Sequence, residues 1–189
     1  MWSTAADNVL ADFDSAIPAR RALEQRFDRL LAENGPALSR MAGSYTNSTS
    51  DRDDLFQEIA MAVWQALPRF RGDCSERTFL FRIAQNRALS YLARNRYRDM
   101  RKKEESEDEL ELPDPRPDPE AGLAREQQGA RLLKAIRLLP VLYRQVVTLT
   151  LEGIEYREIA QILGISESNV GVRLNRGRHM LRRLLEDQR

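Results

Sequence analysis

Apolar residues recur at intervals of three and four along most of this sequence, which is the spacing that places them on one face of an α-helix. The first such run predicts a helix whose apolar positions are Leu23, Phe27, Leu30 and Leu31. We expect this helix to end near residues 34–36, because the segment Asn-Gly-Pro combines three residues that disfavour helix interiors.

Two further helical runs follow in the N-terminal half. The segment DRDDLFQEIAMAVWQALPRF predicts a helix that ends at Pro68, and TFLFRIAQNRALSYLARNRYR predicts another. The loop segment RFRGDCSERTF lies where they meet. The positions expected to face a core are Leu55, Ile59, Ala62 or Val63, Ala66, Leu80, Ile83, Ala84, Leu89 or Ala88, and Leu92.

The C-terminal half predicts four shorter helices. Leu132, Leu133, Ile136 and Leu139 mark one that ends before Pro140, which is expected in the first turn of VLYRQVVTLTL, itself closed by Gly153. The segment YREIAQILGISESNVGVRL then holds two helices. Gly164 suits the left-handed backbone that ends the first, and Ser166 suits the N-cap of the second. This is a helix-turn-helix pattern, whose second helix typically enters a DNA major groove.

Composition places the chain among soluble, core-forming proteins, with 42% apolar and 31% charged residues in a length of 189. A single cysteine, Cys74, and one histidine cannot form an internal disulfide or a Cys/His metal site, so we expect a reducing compartment and neither metal nor cofactor. No secretory signal or membrane-spanning run is recognisable. The sequence therefore predicts a cytoplasmic protein without membrane insertion.

Charge is strongly segregated along the chain. Residues 82–103 carry eight bases and one acid, whereas residues 104–120 carry nine acids and one base. The second segment also contains Pro113, Pro115, Pro117 and Pro119, which disfavour helix. We interpret it as a semi-extended linker, although a simple solvated spacer fits equally well.

The predicted organisation is all-α, with two small helical domains joined by this acidic, proline-rich linker. Residues 1–20 form an N-terminal extension without assigned role, residues 21–103 the first domain, residues 104–120 the linker and residues 121–189 the second domain. Residues 171–185 hold five arginines and no acid, which favours DNA binding over an ordinary solvated helix face.

The motifs resemble those of the extracytoplasmic-function (group IV) sigma factors of bacterial RNA polymerase. EGIEYREIAQILGIS and NVGVRLNRGRHMLRRLL are similar to region 4 of that family, and DRDDLFQEIAMAVWQALPRFRG with TFLFRIAQNRALSYLARNR is similar to region 2. The resemblance covers about residues 23–185. It implies a subunit without enzymatic activity that binds core polymerase, directs it to specific promoters and helps to melt the −10 element.

The resemblance also implies how region 2 contacts the polymerase. Its DDLFQE helix docks on the clamp helices of the largest polymerase subunit, with polar contacts and apolar support that would come from Asp54, Leu55, Gln57, Glu58 and Trp64. Asp54 and Glu58 are one helical turn apart on the same face, which fits this role. Capping and solvation are the alternative role for these acids.

In the family, region 2 also holds a flipped base of the −10 element in a pocket formed by the loop and an asparagine. The residues that match are Arg69, Phe70, Asp73, Phe79, Arg82, Asn86, Arg87 and Arg94. An amide can hydrogen-bond a base edge, aromatic rings can stack on bases, and arginines can contact phosphates. An ordinary exposed helix asparagine remains the alternative for Asn86.

Region 4 of the family reads the −35 element with the second helix of its helix-turn-helix. The residues that match are Ser166, Ser168, Asn169, Val172, Arg173, Arg176, Arg178 and Arg182. This sequence departs from the family pattern at Phe79, where tryptophan is usual, at Glu155, where serine or threonine caps the first helix, and at Gly171 and Val172. Cys74 is interpreted as a passive loop thiol rather than a redox switch.

The expected partners are core RNA polymerase, through its clamp helices and flap, promoter DNA and an anti-sigma factor. The acidic linker would lie in the positively lined nucleic-acid channel of the polymerase. A free-standing helix-turn-helix regulator with an N-terminal sensing domain is the alternative, which accounts for the tail but not for DDLFQE together with RIAQN. An enzyme is not indicated, because no nucleophile, base and orienting residue form a recognisable set.

Overall fold

The computed structural model describes residues 3–105 and 123–187, and the side chains of residues 20–98 and 127–187. Within these ranges the regular structure is helical and includes no strand, which confirms the predicted all-α class. The helices are α1 (Ser3–Gly43), α2 (Thr49–Ala66), α3 (Glu76–Glu105), α4 (Leu123–Leu138), α5 (Val141–Leu151), α6 (Tyr156–Leu163) and α7 (Glu167–Glu186). A 3-10 turn, Leu67–Arg69, follows α2. Most of the acidic stretch, residues 106–120, lies outside the described residues.

Helix α1 passes straight through the Asn-Gly-Pro segment, so the predicted break at residues 34–36 is wrong. The apolar pattern resumes beyond Pro36, and Leu38, Met41 and Ala42 are buried together with Leu30. A proline inside a helix costs about 3 kcal/mol, whereas each fully buried Leu or Met side chain contributes about 1.5–3 kcal/mol. Burial of several such residues therefore outweighs the local preference.

The N-terminal domain encloses a core between α1, α2 and α3. Both alternatives at one turn of α2, Ala62 and Val63, are buried. On α3 the buried positions include Leu80, Ala84 and Ala88 as expected, but also Phe81, which the pattern did not indicate. The predicted positions that the structure leaves only half-buried are Ala66, Ile83, Leu89 and Leu92.

A polar pair lies inside this core. The hydroxyl of Tyr45 donates to Oε1 of Gln85 at 2.9 Å, and both residues are buried. Burial raises the pKa of Tyr45 far above its ordinary value. The phenol therefore stays a neutral donor, and the hydrogen bond fixes the chain after α1 against α3.

The C-terminal domain consists of α4 to α7, and its helix ends follow local signals. Gly153 and Gly164 have φ angles of 71° and 65°, the left-handed conformation that favours glycine. The hydroxyl of Ser166 accepts from the backbone N–H of Asn169 at 3.2 Å and caps α7. Pro140 precedes α5 as its N-cap rather than lying in its first turn.

Helices α5 and α7 approach each other closely at Gly177. This glycine is buried, and a Cβ built on it would lie 2.9 Å from Cγ2 of Val147 and 3.3 Å from Cβ of Tyr143. Such distances leave no room for a side chain. The sequence pattern gave no sign of this contact, because a glycine inside an arginine-rich helix indicates nothing about its partner.

The two domains also contact each other, mainly through α3 and α6. No helix within the described ranges is both long and apolar enough to span a membrane.

Candidate nucleic-acid and polymerase interfaces

Helix α2 presents most of the residues expected to contact polymerase on its outer face. Asp54 and Gln57 are exposed and Glu58 is half-buried. Leu55 is fully buried, so it can only hold the helix in place and cannot touch a partner. Trp64 is half-buried and packs edge-on against Phe27, with ring centroids 5.3 Å apart.

Met61 belongs to the same outer face but was not among the expected residues. It follows Gln57 by one turn and Asp54 by two, and its side chain is 62% exposed. An exposed methionine between polar neighbours suits an apolar contact with a protein partner. Counting helical positions forward from Asp54 would have found it.

Glu58 and Arg94 are expected to contact different partners, yet in the structure they bind each other. The carboxylate of Glu58 accepts from one terminal nitrogen of Arg94 at 2.7 and 2.8 Å, across the gap between α2 and α3. Both side chains are about half exposed, so the pair contributes at most about 1 kcal/mol. It nevertheless gives Glu58 a structural partner that the sequence did not indicate.

The loop between α2 and α3 brings two aromatic residues together. The rings of Phe70 and Phe79 lie 4.6 Å apart, and the guanidinium of Arg26 lies 5.1 Å from the centre of the Phe70 ring. Arg69 and Asp73 are exposed beside them. The thiol of Cys74 is free and half-buried in the same loop. The Arg26 guanidinium is also bound to Glu76 at 2.6 Å. This arrangement offers a partly exposed aromatic surface of the kind on which unpaired bases stack.

The outer face of α3 carries the remaining region 2 candidates. Asn86 and Arg87 are exposed, and within the described residues the side-chain amide of Asn86 has no hydrogen-bond partner. Tyr97 lies eleven positions after Asn86, hence on the same face, and is 66% exposed. This aromatic residue was missed, although its helical spacing from Asn86 could have indicated it. Arg82 differs from its neighbours because it donates to the carbonyl of Gln161 in α6 at 3.0 Å.

Helix α7 presents most of its predicted DNA-binding side chains to the outside. The exposed ones are Ser166, Ser168, Asn169, Val172, Arg176, Arg178 and Arg182. Arg173 is half-buried, and its Nε donates to Oδ1 of Asn169 at 3.0 Å. This bond leaves the terminal nitrogens of Arg173 available, so the two residues form one unit that can read a base edge.

The described residues contain no group of three His, Cys, Asp or Glu side chains placed to hold a metal ion.

Each half of the chain matches a family of known proteins. The chain matches the family described as Sigma-70 region 2 over residues 30–98 and that described as Sigma-70, region 4 over residues 129–181. RNA polymerase sigma factor CnrH of Cupriavidus metallidurans is 32% identical, over 96% of this chain and 95% of that protein. The ECF RNA polymerase sigma-E factor of Escherichia coli is 29% identical, over 84% of this chain and 85% of that protein.

Two solved structures are similar over nearly the whole chain. CnrH in complex with the cytosolic domain of CnrY has a TM-score of 0.64 and 30% identity, and the match covers 92% of this chain and 97% of that one. The sigma factor RpoE in complex with the anti-sigma factor NepR from Bartonella quintana has a TM-score of 0.66 at 24% identity, covering 87% of this chain and 99% of that one. The second likeness concerns the fold alone.

The chain belongs to the extracytoplasmic-function group of RNA polymerase sigma factors. Its role is accordingly that of a sigma factor in transcription initiation, and the resemblance noted in the sequence is confirmed.

Proposed function

We propose that this sigma factor binds core RNA polymerase through the outer face of α2, contacts the −10 element through the α2–α3 loop and α3, and reads the −35 element with α7. In this proposal residues 21–103 and 121–189 are the two functional units, and no catalytic step is carried out by the chain itself. The protein acts in the cytoplasm, where core polymerase and promoter DNA are found.

The observation that carries the proposal is the separation of the three candidate faces. Asp54, Gln57 and Met61 lie along the outside of α2, whereas Asn86 and Tyr97 lie along the outside of α3. The arginine-rich helix α7 is in the other domain, capped by Ser166. Three exposed faces with different chemistry support three different contacts, and family membership supports their assignment.

An anti-sigma factor is a further proposed partner. The solved structures of CnrH and RpoE each contain such a protein or a cytosolic domain bound to the sigma factor. The described residues of this chain form a groove of about 410 Å³ between the end of α1 and helices α4 and α5. It is lined by apolar side chains, including Met41, Leu132 and Leu151, and suits an apolar segment of a protein partner.

Core binding is tested by reversing one exposed charge on α2. Asp54→Lys should leave the fold intact, because the side chain is exposed. It should weaken capture of core polymerase about tenfold, which corresponds to about 1.4 kcal/mol. The measurement is a pull-down of purified core polymerase with the variant chain over a range of concentrations.

Asp53→Lys is the matched control, because Asp53 is exposed in the same turn but lies about 100° away around the helix. It should capture core polymerase as the parent protein does. Equal capture of core polymerase by the Asp54 variant and the parent protein would contradict the assignment of α2 as the docking face.

A further inference from the structure

The loop of residues 70–75, between the 3-10 turn and α3, has little backbone support of its own. It contains Gly72, whose φ of 82° is the left-handed conformation that turns the chain. Within the described structure, residues 71–74 make no backbone–backbone hydrogen bond, whereas Phe70 and Ser75 at the two ends do. The position of the loop therefore depends on what holds its ends.

One guanidinium of α1 contacts both ends of this loop. Nε of Arg26 donates to Oε1 of Glu76, the first residue of α3, at 2.6 Å. The central carbon of the same guanidinium lies 5.1 Å from the centre of the Phe70 ring, which is within the range of a cation–π contact. We call Arg26, Glu76 and Phe70 the Arg26 bridge, because they join α1 to both ends of the loop.

The Arg26 bridge also affects the second aromatic residue of the proposed −10 face. The ring of Phe79, in the first turn of α3, lies 4.6 Å from the ring of Phe70, and the two planes are inclined by 45°. Both rings are half-buried, so each leaves part of its surface for a base. A movement of Phe70 would change the surface that the two rings present together.

The carboxylate of Glu76 is bound by two arginines of α1. Arg29 donates to Oε2 at 2.9 Å, beside the bond from Arg26 to Oε1. Partial burial disfavours the charged form, but these hydrogen bonds outweigh it and hold the pKa of Glu76 below its ordinary value. Among the described contacts only Arg26 also reaches Phe70. Arg29 therefore offers a matched comparison with the same carboxylate.

Helix α1 is a firm support for the Arg26 bridge. Phe27 follows Arg26 and packs edge-on against Trp64 of α2, with ring centroids 5.3 Å apart. Leu30, one turn further along α1, is buried in the core. The backbone that carries Arg26 is thus fixed against α2, and the bridge transmits this rigidity to the loop.

We propose that Arg26 is a positioning residue of the −10 site, which holds the α2–α3 loop, through Phe70 and Glu76, in the conformation that receives an unpaired base. A loop that is already held in place loses less conformational entropy when a base binds, so the opened strand is bound more tightly. This inference rests on the proposed function for the DNA contact, whereas the hold on the loop depends only on contacts within the chain.

The hold on the loop can be measured in the free full-length chain through Cys74. This residue is the single cysteine of the sequence and its thiol is free and half-buried in the loop, so the rate of its reaction with a soluble aromatic disulfide reports how often the loop moves. Arg26→Ala should increase this rate about fivefold, because both ends of the loop lose a contact. Arg29→Ala should change it by less than about twofold. Circular dichroism of each variant checks that the helices are retained.

Opening of the −10 element by the holoenzyme tests the consequence for DNA. The substrate is a genomic fragment that core polymerase retains when reconstituted with the parent chain. Arg26→Ala should slow the appearance of permanganate-reactive thymines about tenfold and change retention of the closed duplex by less than about twofold. A general loss of folded protein would lower both together. In a Phe70→Ala background, Arg26→Ala should cause little further slowing, because the ring on which Arg26 acts is absent.

Unchanged opening, or unchanged reactivity of Cys74, in Arg26→Ala would overturn the proposal. Equal effects of Arg29→Ala and Arg26→Ala would overturn it as well, because the contact with Phe70 would then contribute nothing. Slower opening without faster reaction of Cys74 would mean that Arg26 contacts DNA itself rather than positioning the loop. A parent holoenzyme that opens no duplex would contradict the proposed function, and the reactivity of Cys74 in the free chain would still decide whether Arg26 holds the loop.

Discussion

The two domains are stabilised in different ways. The N-terminal domain uses long helices of 41, 18 and 30 residues that share one core with large side chains such as Phe81 and Leu38. The C-terminal domain uses helices of 16, 11, 8 and 20 residues, α4 to α7. In the described residues two of its helix junctions contain a glycine with positive φ, whereas the N-terminal domain has one, Gly72. Helices as short as α5 and α6 are marginal on their own, so they depend on packing against neighbouring helices and on the residues that end them.

This difference means that the same kind of substitution should act differently in the two domains. In the N-terminal domain, core packing overrides a local helix breaker, so loss of buried volume should have the largest effect there. In the C-terminal domain, changes at the helix ends and at the close approach of α5 and α7 should also lower the stability clearly. Substitutions in the buried core and at helix ends or close helix contacts should therefore lower the stability by different amounts.

Phe81→Ala should destabilise the N-terminal domain most. Phe81 is fully buried and is among the largest such side chains. Truncation of a buried phenylalanine costs about 3–5 kcal/mol in the free energy of unfolding, because it removes apolar contacts and leaves a cavity. Urea denaturation followed by far-UV circular dichroism measures the loss. Met61→Ala, at an exposed site on α2, should change stability by less than about 0.5 kcal/mol and serves as control.

Gly177→Ala should destabilise the C-terminal domain by about 1–3 kcal/mol, because the added methyl group would collide with Val147 and Tyr143. Gly129→Ala is the matched control in α4, where a Cβ meets nothing within 4 Å. Alanine there should stabilise the helix by about 0.5–1 kcal/mol. Thermal unfolding should show a lower midpoint temperature for Gly177→Ala and a higher one for Gly129→Ala than for the parent protein. A neutral result at Gly177 would show that α5 and α7 can move apart at no cost.

The recognition helix should lose sequence discrimination when the unit formed by Asn169 and Arg173 is broken. Each single alanine variant should weaken binding of the −35 sequence by about 1–3 kcal/mol and affect a scrambled duplex much less. Because the two side chains are hydrogen-bonded, the double variant should lose less than the sum. Arg182→Ala should weaken both duplexes alike and reduce the salt dependence by about one counterion.

Fluorescence anisotropy of labelled duplexes at two salt concentrations makes this distinction. Equal losses on both duplexes for the Asn169 and Arg173 variants would mean that α7 holds DNA without reading it.

Two glycines should respond by different amounts when each is replaced by alanine. Gly164 has a φ of 65°, and alanine in that left-handed conformation costs about 1–2 kcal/mol. Gly35 lies in the interior of α1, where a Cβ would sit at an ordinary 3.9 Å from Phe56. Residue 35 precedes Pro36, whose ring crowds a Cβ on the preceding helical residue, and this offsets the helix preference of alanine. Gly35→Ala should therefore change stability by less than about 0.5 kcal/mol. Loss of stability at Gly35 similar to that at Gly164 would remove the contrast between the domains.

The ends of α6 and α7 were predictable because the residues that determine them are adjacent in sequence. Gly164 and Ser166 act through their own backbone and side chain, and the structure has them in the expected roles. The continuation of α1 was not predictable in this way. It depends on burial of Leu38 and Met41 beneath other helices. The local sequence does not show whether the helix-breaking Asn-Gly-Pro segment or the apolar pattern that follows it prevails.

The same distinction between local and long-range features applies to the candidate sites. A helix face can be counted from sequence, so the exposure of Asp54 and Gln57 on α2 and of most candidates on α7 followed from spacing. Contacts between distant residues could not be counted. The pair of Glu58 with Arg94 and the bond from Arg82 to Gln161 join positions 36 and 79 residues apart.

The central claim is that the two domains read two separate promoter elements as part of one polymerase holoenzyme. The most direct measurement is sequencing of genomic DNA fragments retained by core polymerase reconstituted with this chain, compared with core polymerase alone. We predict two short enriched sequences at a fixed separation, with centres about 25 base pairs or roughly 85 Å apart along the duplex. Enrichment of a single element, or of the same fragments without this chain, would contradict the account.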